Sequence, residues 1–132
     1  SVKMGAKLLL GGERKGAYYA PTIITDVTDE MPVFKEETFG PVIAVKTFKT
    51  FEEAIEISNN SEFGLGVSIF SKNINKVLEN VSKFEEGAVF INELVKSDPR
   101  LPFGGIKTSG FGRELSSFGI KEFVNIKTVY VK

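Results

Sequence analysis

Glu37 stands just ahead of an apolar run, in Glu36-Glu37-Thr38-Phe39-Gly40-Pro41-Val42. An ionised carboxylate accepts hydrogen bonds through two oxygens and donates none, so it suits two neighbouring hydroxyls such as a ribose cis-diol. A carboxylate beside a turn also serves as a solvated or capping group, and the residue types alone leave both readings open. A second stretch, Leu101-Pro102-Phe103-Gly104-Gly105-Ile106-Lys107-Thr108-Ser109-Gly110-Phe111-Gly112-Arg113-Glu114, holds four glycines within fourteen positions. Glycine and proline interrupt helices and central strands, so this is a shaped loop whose backbone comes close to something. Phe103 in it either plugs a core edge or lines a site. The run lacks the Gly-Lys-Ser/Thr order of a phosphate loop, and no third glycine falls at the dinucleotide spacing. Upstream, Val95 to Arg100 reads as a solvated turn, with Asp98-Pro99 as its signal.

Composition removes several chemistries. The chain has no cysteine and no histidine. It therefore contains no disulfide, thiolate metal site or thiol nucleophile, and it lacks the commonest general base and metal ligand. With 17 basic and 17 acidic residues scattered along it, nothing points to a nucleic acid or a membrane surface. No apolar run reaches the ~18 residues of a membrane span, and no signal peptide is visible. A length of 132 residues and 42% hydrophobic content suit one soluble globular domain. The opening Ser1 to Gly5 reads as the end of a helix, which suits a fragment.

The elements that must position these residues follow from periodicity. Strands are expected at Ala6–Leu10, Val42–Phe48, Val67–Phe70, Ala88–Asn92 and Ile126–Val131, with extended chain over Tyr18–Val27. Met31–Lys35 reads as one helical turn. Thr50 and Glu53 form a capping box for a helix to Asn59. Ile74, Val77, Leu78, Val81 and Phe84 share one helical face, giving a helix over Asn73–Phe84. A last helix fits Ser116–Val124. Strand, helix, strand, helix, strand predicts an α/β fold with a parallel-type sheet and flanking helices. Ligands in such sheets sit beyond the carboxyl ends of the strands, where the loop from Glu93 to Glu114 emerges.

These motifs, with Gly119-Ile120-Lys121-Glu122-Phe123 and Lys127-Thr128-Val129 in order behind them, resemble the tail of the aldehyde dehydrogenase superfamily. Ser97-Asp98-Pro99-Arg100-Leu101 before Pro102-Phe103-Gly104-Gly105 resembles prokaryotic succinate-semialdehyde dehydrogenases. The resemblance implies a partial catalytic domain over residues 1–124 and a terminal oligomerisation strand over 125–132 that pairs across a subunit boundary. It implies that Glu37 holds the nicotinamide ribose of NAD or NADP, that Phe39 packs near the nicotinamide, and that Phe103 lines the aldehyde funnel. Ser97 and Arg100 are its candidates for holding a distal carboxylate. The family mechanism runs through thiolate attack, hydride transfer and thioester hydrolysis. Its cysteine, its general-base glutamate and its dinucleotide-binding fold lie upstream of the matching segment, so no catalytic residue is expected here. The chain alone is then inactive. Its partners are an aldehyde, the rest of the enzyme and further copies in a cytoplasmic homo-oligomer. A non-catalytic remnant acting as an assembly module is the alternative. A small nucleotide-binding regulator is disfavoured by the lack of a phosphate cradle.

Overall fold

The computed structural model describes residues 1–132, and they divide into two compact units, Ser1–Glu53 and Ala54–Lys132. The first opens with a short 3-10 turn at Val2–Met4, closed by Gly5 at φ 107°. Strand β1 (Lys7–Leu10) follows, then a minimal hairpin of β2 (Arg14–Lys15) and β3 (Tyr18–Tyr19), and then β4 (Thr22–Thr25). A one-turn helix α1 (Pro32–Lys35) leads to β5 (Val42–Ala44). Strand β4 is central, antiparallel to β1 and parallel to β5. Its pleat explains the core: Thr22 and Ile24 are buried, whereas Ile23 and Thr25 are half-buried. Ala6, Ile24, Val27 and Met31 form the buried cluster, with Val33, Phe34, Val42 and Ala44 packed around it.

Proline fixes its own φ and donates no N–H, so it suits the first turn of a helix; Pro32 occupies that place in α1. The chain extends again at Glu36, where φ is −101° and ψ 148°. Glu36–Pro41 thus becomes a loop between α1 and β5. It is tied at its end by the Thr22 N–H, which donates to the Pro41 carbonyl at 2.8 Å.

Helix α2 (Phe51–Asn59) begins where the capping signal placed it. The Glu53 N–H donates to Thr50 Oγ1 at 3.1 Å, and Glu53 Oε2 accepts from the Lys49 N–H at 2.7 Å. The reciprocal bond therefore reaches one residue further back than in a strict capping box.

In the second unit, β6 (Phe63–Gly64), β7 (Val67–Ile69), α3 (Ile74–Asn80), β8 (Val89–Ile91), β9 (Ile106–Lys107) and α4 (Ser116–Lys121) follow. Strands β7 and β8 pair in parallel across the α3 crossover, while β6 and β9 pair antiparallel. Asn73 caps α3 by accepting from the Lys76 N–H at 3.1 Å. Ile55, Val77 and Phe84 are buried.

The α/β reading holds, with parallel pairing in both units, but the sheet is divided into small pieces. Three expected elements end well short of their expected bounds. The Val42–Phe48 strand stops at Ala44, beyond which a single further bond joins the Val45 N–H to the Ile24 carbonyl. The Asn73–Phe84 helix gives way at Asn80 to a 3-10 turn over Val81–Lys83. The final helix stops at Lys121 rather than Val124. Ile126–Val131 pairs with no strand of the chain, and residues 125–132 are all exposed. An extended segment whose N–H and C=O groups find no ladder here lacks what makes it a strand. No helix is long and apolar enough to cross a membrane.

Candidate functional site

The loop between α1 and β5 presents Glu37 and Phe39 outward. Glu37 is exposed, and its carboxylate makes no hydrogen bond or ion pair within the chain. Phe39 is 95% exposed. A large ring costs free energy in water, and here it stands two residues from a carboxylate with all its acceptor positions open. An open carboxylate can accept from two hydroxyls, and an exposed ring can stack on a flat partner. Apart from its chain neighbours Phe39 and Pro41, only Thr38 Cγ2 comes within 4 Å of where a Gly40 side chain would begin, so the backbone is open there.

The second unit positions Phe103. Strand β8 feeds a loop held at several points. The Val95 N–H donates to Ser68 Oγ of β7 at 3.1 Å. Asn92 Oδ1 accepts from the Ser71 N–H at 2.8 Å, and its Nδ2 donates to the Ser71 carbonyl at 3.0 Å. Phe103 and Glu114 then exchange backbone bonds of 2.9 and 2.8 Å, which closes the glycine loop into a hairpin-like lobe. Arg113 clamps that lobe, its Nη1 donating to the carbonyls of Gly105 at 2.9 Å and Gly112 at 2.7 Å. Phe103 stands between two open grooves. One of about 410 Å³ is lined by β8, Glu93, Lys96, Asp98 and Leu101. The other, about 360 Å³, is lined by Gly104, Gly105, Phe111, Arg113 and Phe123.

Close backbone approach explains the glycines. A Cβ on Gly87 would lie 1.9 Å from the Gly104 carbonyl oxygen, and one on Gly104 would lie 2.7 Å from that of Gly112. Gly87 lies in the turn just ahead of β8. Its role as the passing place of the Pro-Phe-Gly-Gly segment is a contact between residues far apart in the chain, which no local pattern signals.

Ser97 and Arg100 are both exposed, and neither lines either of these two grooves. Ser97 Oγ makes no hydrogen bond within the chain. Arg100 does: Nε donates to Asp98 Oδ1 at 2.9 Å and Nη2 to Asp98 Oδ2 at 2.6 Å. Asp98 also accepts from the Arg100 backbone N–H at 2.9 Å. Sequence reading missed Asp98 as a partner. The signal was present, because aspartate readily bonds the backbone two residues on. The guanidinium bonds, and then the backbone N–H, hold the Asp98 carboxyl far below its ordinary value, and the same pairing raises Arg100. Similarly, the Lys96 ammonium and then the Leu94 N–H lower Glu93.

Asp98 is a depressed acid, so its contribution to loop order is complete above the ordinary aspartate value of about 3.9 and is lost only as pH falls through the lower folded-state value. Carbon-detected titration of Asp98 is expected to find it still charged at about pH 3. A midpoint near the ordinary value would contradict the pairing.

The chain matches the aldehyde dehydrogenase family over residues 1–129. It belongs to that family. It is 50% identical over 133 residues to the succinate semialdehyde dehydrogenase [NAD(P)+] of Escherichia coli, covering 98% of this chain and 29% of the relative. It is 49% identical over 130 residues to the chloroplastic betaine aldehyde dehydrogenase of Atriplex hortensis, covering 95% of this chain and 26% of the relative. The solved succinic semialdehyde dehydrogenase of Streptococcus pyogenes, in complex with NADP+, superposes with a TM-score of 0.92 at 44% identity, covering 98% of this chain and 29% of that one. The chain thus spans less than a third of the length of these relatives.

Proposed function

We propose that this chain is the part of an NAD(P)-dependent aldehyde dehydrogenase that grips the cofactor ribose and walls the aldehyde channel. Succinate semialdehyde is the proposed substrate, and a carboxylic acid the product. The observation that carries the reading is the open Glu37 carboxylate beside a fully presented Phe39, in a chain of this family. Glu37 would accept from the two ribose hydroxyls, and Phe39 would cover one face of the nicotinamide. When bound, the nicotinamide supplies a hydride acceptor.

Phe103 offers an apolar wall next to the aldehyde, held in place by the Arg113 clamp and the Glu114 bridge. Its contribution is proximity and orientation rather than bond-making. Ser97 offers a free hydroxyl for a distal carboxylate. Residues 125–132, exposed and unpaired in the chain, would complete a sheet in another copy, giving a homo-oligomer. A cytoplasmic enzyme is part of the same reading.

The chain has no cysteine, so the thiol nucleophile of this chemistry must come from the remainder of the enzyme. The purified chain, incubated with succinate semialdehyde and either cofactor, is expected to generate no reduced-nicotinamide absorbance. Sustained turnover would overturn the assignment of roles. The alternative, a non-catalytic assembly module, shares these surfaces and differs in supporting no turnover when the chain is joined to an active remainder.

A further inference from the structure

Four charged side chains lie between β8 and Leu101, namely Glu93, Lys96, Asp98 and Arg100. Each cation has an anion of its own. Lys96 Nζ lies 2.7 Å from Glu93 Oε2, and Arg100 Nη2 lies 2.6 Å from Asp98 Oδ2. The Arg100 contact is a two-point fork, Nε and Nη2 each meeting a different carboxylate oxygen. That fork is the arrangement a guanidinium uses to grip any carboxylate, and here Asp98 already fills it. Both partners reach solvent, so the pair adds little to stability. Its consequence is for binding. A carboxylate tethered two residues away acts at an effective concentration in the millimolar range or above, and a dissolved carboxylate must compete with it.

We propose that Asp98 sets how strongly this loop favours carboxylated aldehydes, by withholding Arg100 and leaving the Ser97 hydroxyl as the loop's contact for the distal carboxylate; this rests on the aldehyde dehydrogenase reading above. Asp98 is a positioning residue, acting through Arg100. The loop as a whole is charge-balanced, so its preference for an anionic aldehyde is held below what a free guanidinium would give.

The test uses a hybrid enzyme in which this chain replaces the matching stretch of the Escherichia coli relative. Asp98→Asn removes the anion while its amide oxygen still accepts from the Arg100 N–H. The freed guanidinium is expected to raise kcat/KM for succinate semialdehyde over an uncharged aldehyde of matched length on the order of tenfold, through KM rather than kcat. Arg100→Gln is expected to change that ratio by less than about twofold. A tenfold fall with Arg100→Gln, or no change with Asp98→Asn, would overturn the proposal. An unaltered hybrid that oxidises the uncharged aldehyde equally well would overturn the substrate reading and the proposal with it. In the 132-residue chain by itself, the Arg100 Nε–H is expected to exchange with water more slowly than in Asp98→Asn. Equal rates would also sink it.

Discussion

Replacing Glu37 by glutamine in the hybrid enzyme raises the cofactor dissociation constant on the order of 10- to 100-fold. The reasoning is electrostatic. Glutamine keeps one acceptor oxygen but loses the charge and the second acceptor, and charge-assisted hydrogen bonds contribute about 1.5–3 kcal/mol each. The melting temperature is expected to move by no more than about 2 °C, because an exposed side chain without a partner in the chain contributes little to stability. Glu36→Gln, next door in the same loop and also exposed, is the control and is expected to leave cofactor affinity nearly unchanged. Fluorescence titration of the cofactor reads both variants. Equal losses for Glu36 and Glu37 would mean the loop acts through general negative charge, not through a two-point grip.

The largest structural effect is expected at Gly87. An alanine there places its Cβ 1.9 Å from the Gly104 carbonyl oxygen and 3.1 Å from the Gly105 Cα. Both neighbours are backbone, so no side-chain rotation relieves the clash. The Pro-Phe-Gly-Gly segment or the turn before β8 must shift, at a cost on the order of 3 kcal/mol. For a domain of this size that corresponds to a fall in melting temperature of about 10 °C. Gly40→Ala meets only the Thr38 methyl, 3.9 Å away, and is expected to stay within about 0.5 kcal/mol of the parent. Thermal denaturation followed by circular dichroism compares the two. Similar melting temperatures would show that the two segments do not pass in backbone contact at Gly87.

Local patterns carried much of the fold. Thr50 and Glu53 announced the start of α2, and the spacing of Ile74, Val77 and Leu78 announced α3, because capping and helical periodicity are properties of a few adjacent residues. Strand partners were less legible. Strand β5 pairs with β4, a choice set by how residues 26–41 turn back through α1 rather than by the composition of either strand. Ile126–Val131 has the apolar, β-branched content of a strand, yet strand identity also needs a partner edge, and the chain supplies none.

The candidate site residues could be named from the sequence, but their contacts could not. Glu37, Phe39 and Phe103 stood out through their flanking glycines and prolines. Arg100 was named as a carboxylate holder, and the structure shows it already holding a carboxylate of its own loop. Whether a cation is free depends on side-chain geometry, which residue order alone does not express.

The role proposed for this chain is to supply grip and shape to an aldehyde-oxidising enzyme whose thiol lies elsewhere. Reduced-nicotinamide formation from succinate semialdehyde, measured for the hybrid and for the chain alone, tests it most directly. Sustained turnover is expected of the hybrid, weakened by Glu37→Gln at limiting cofactor, and none of the chain. A folded hybrid that binds cofactor through the Escherichia coli portion yet never turns over, or a chain that turns over unaided, would contradict it.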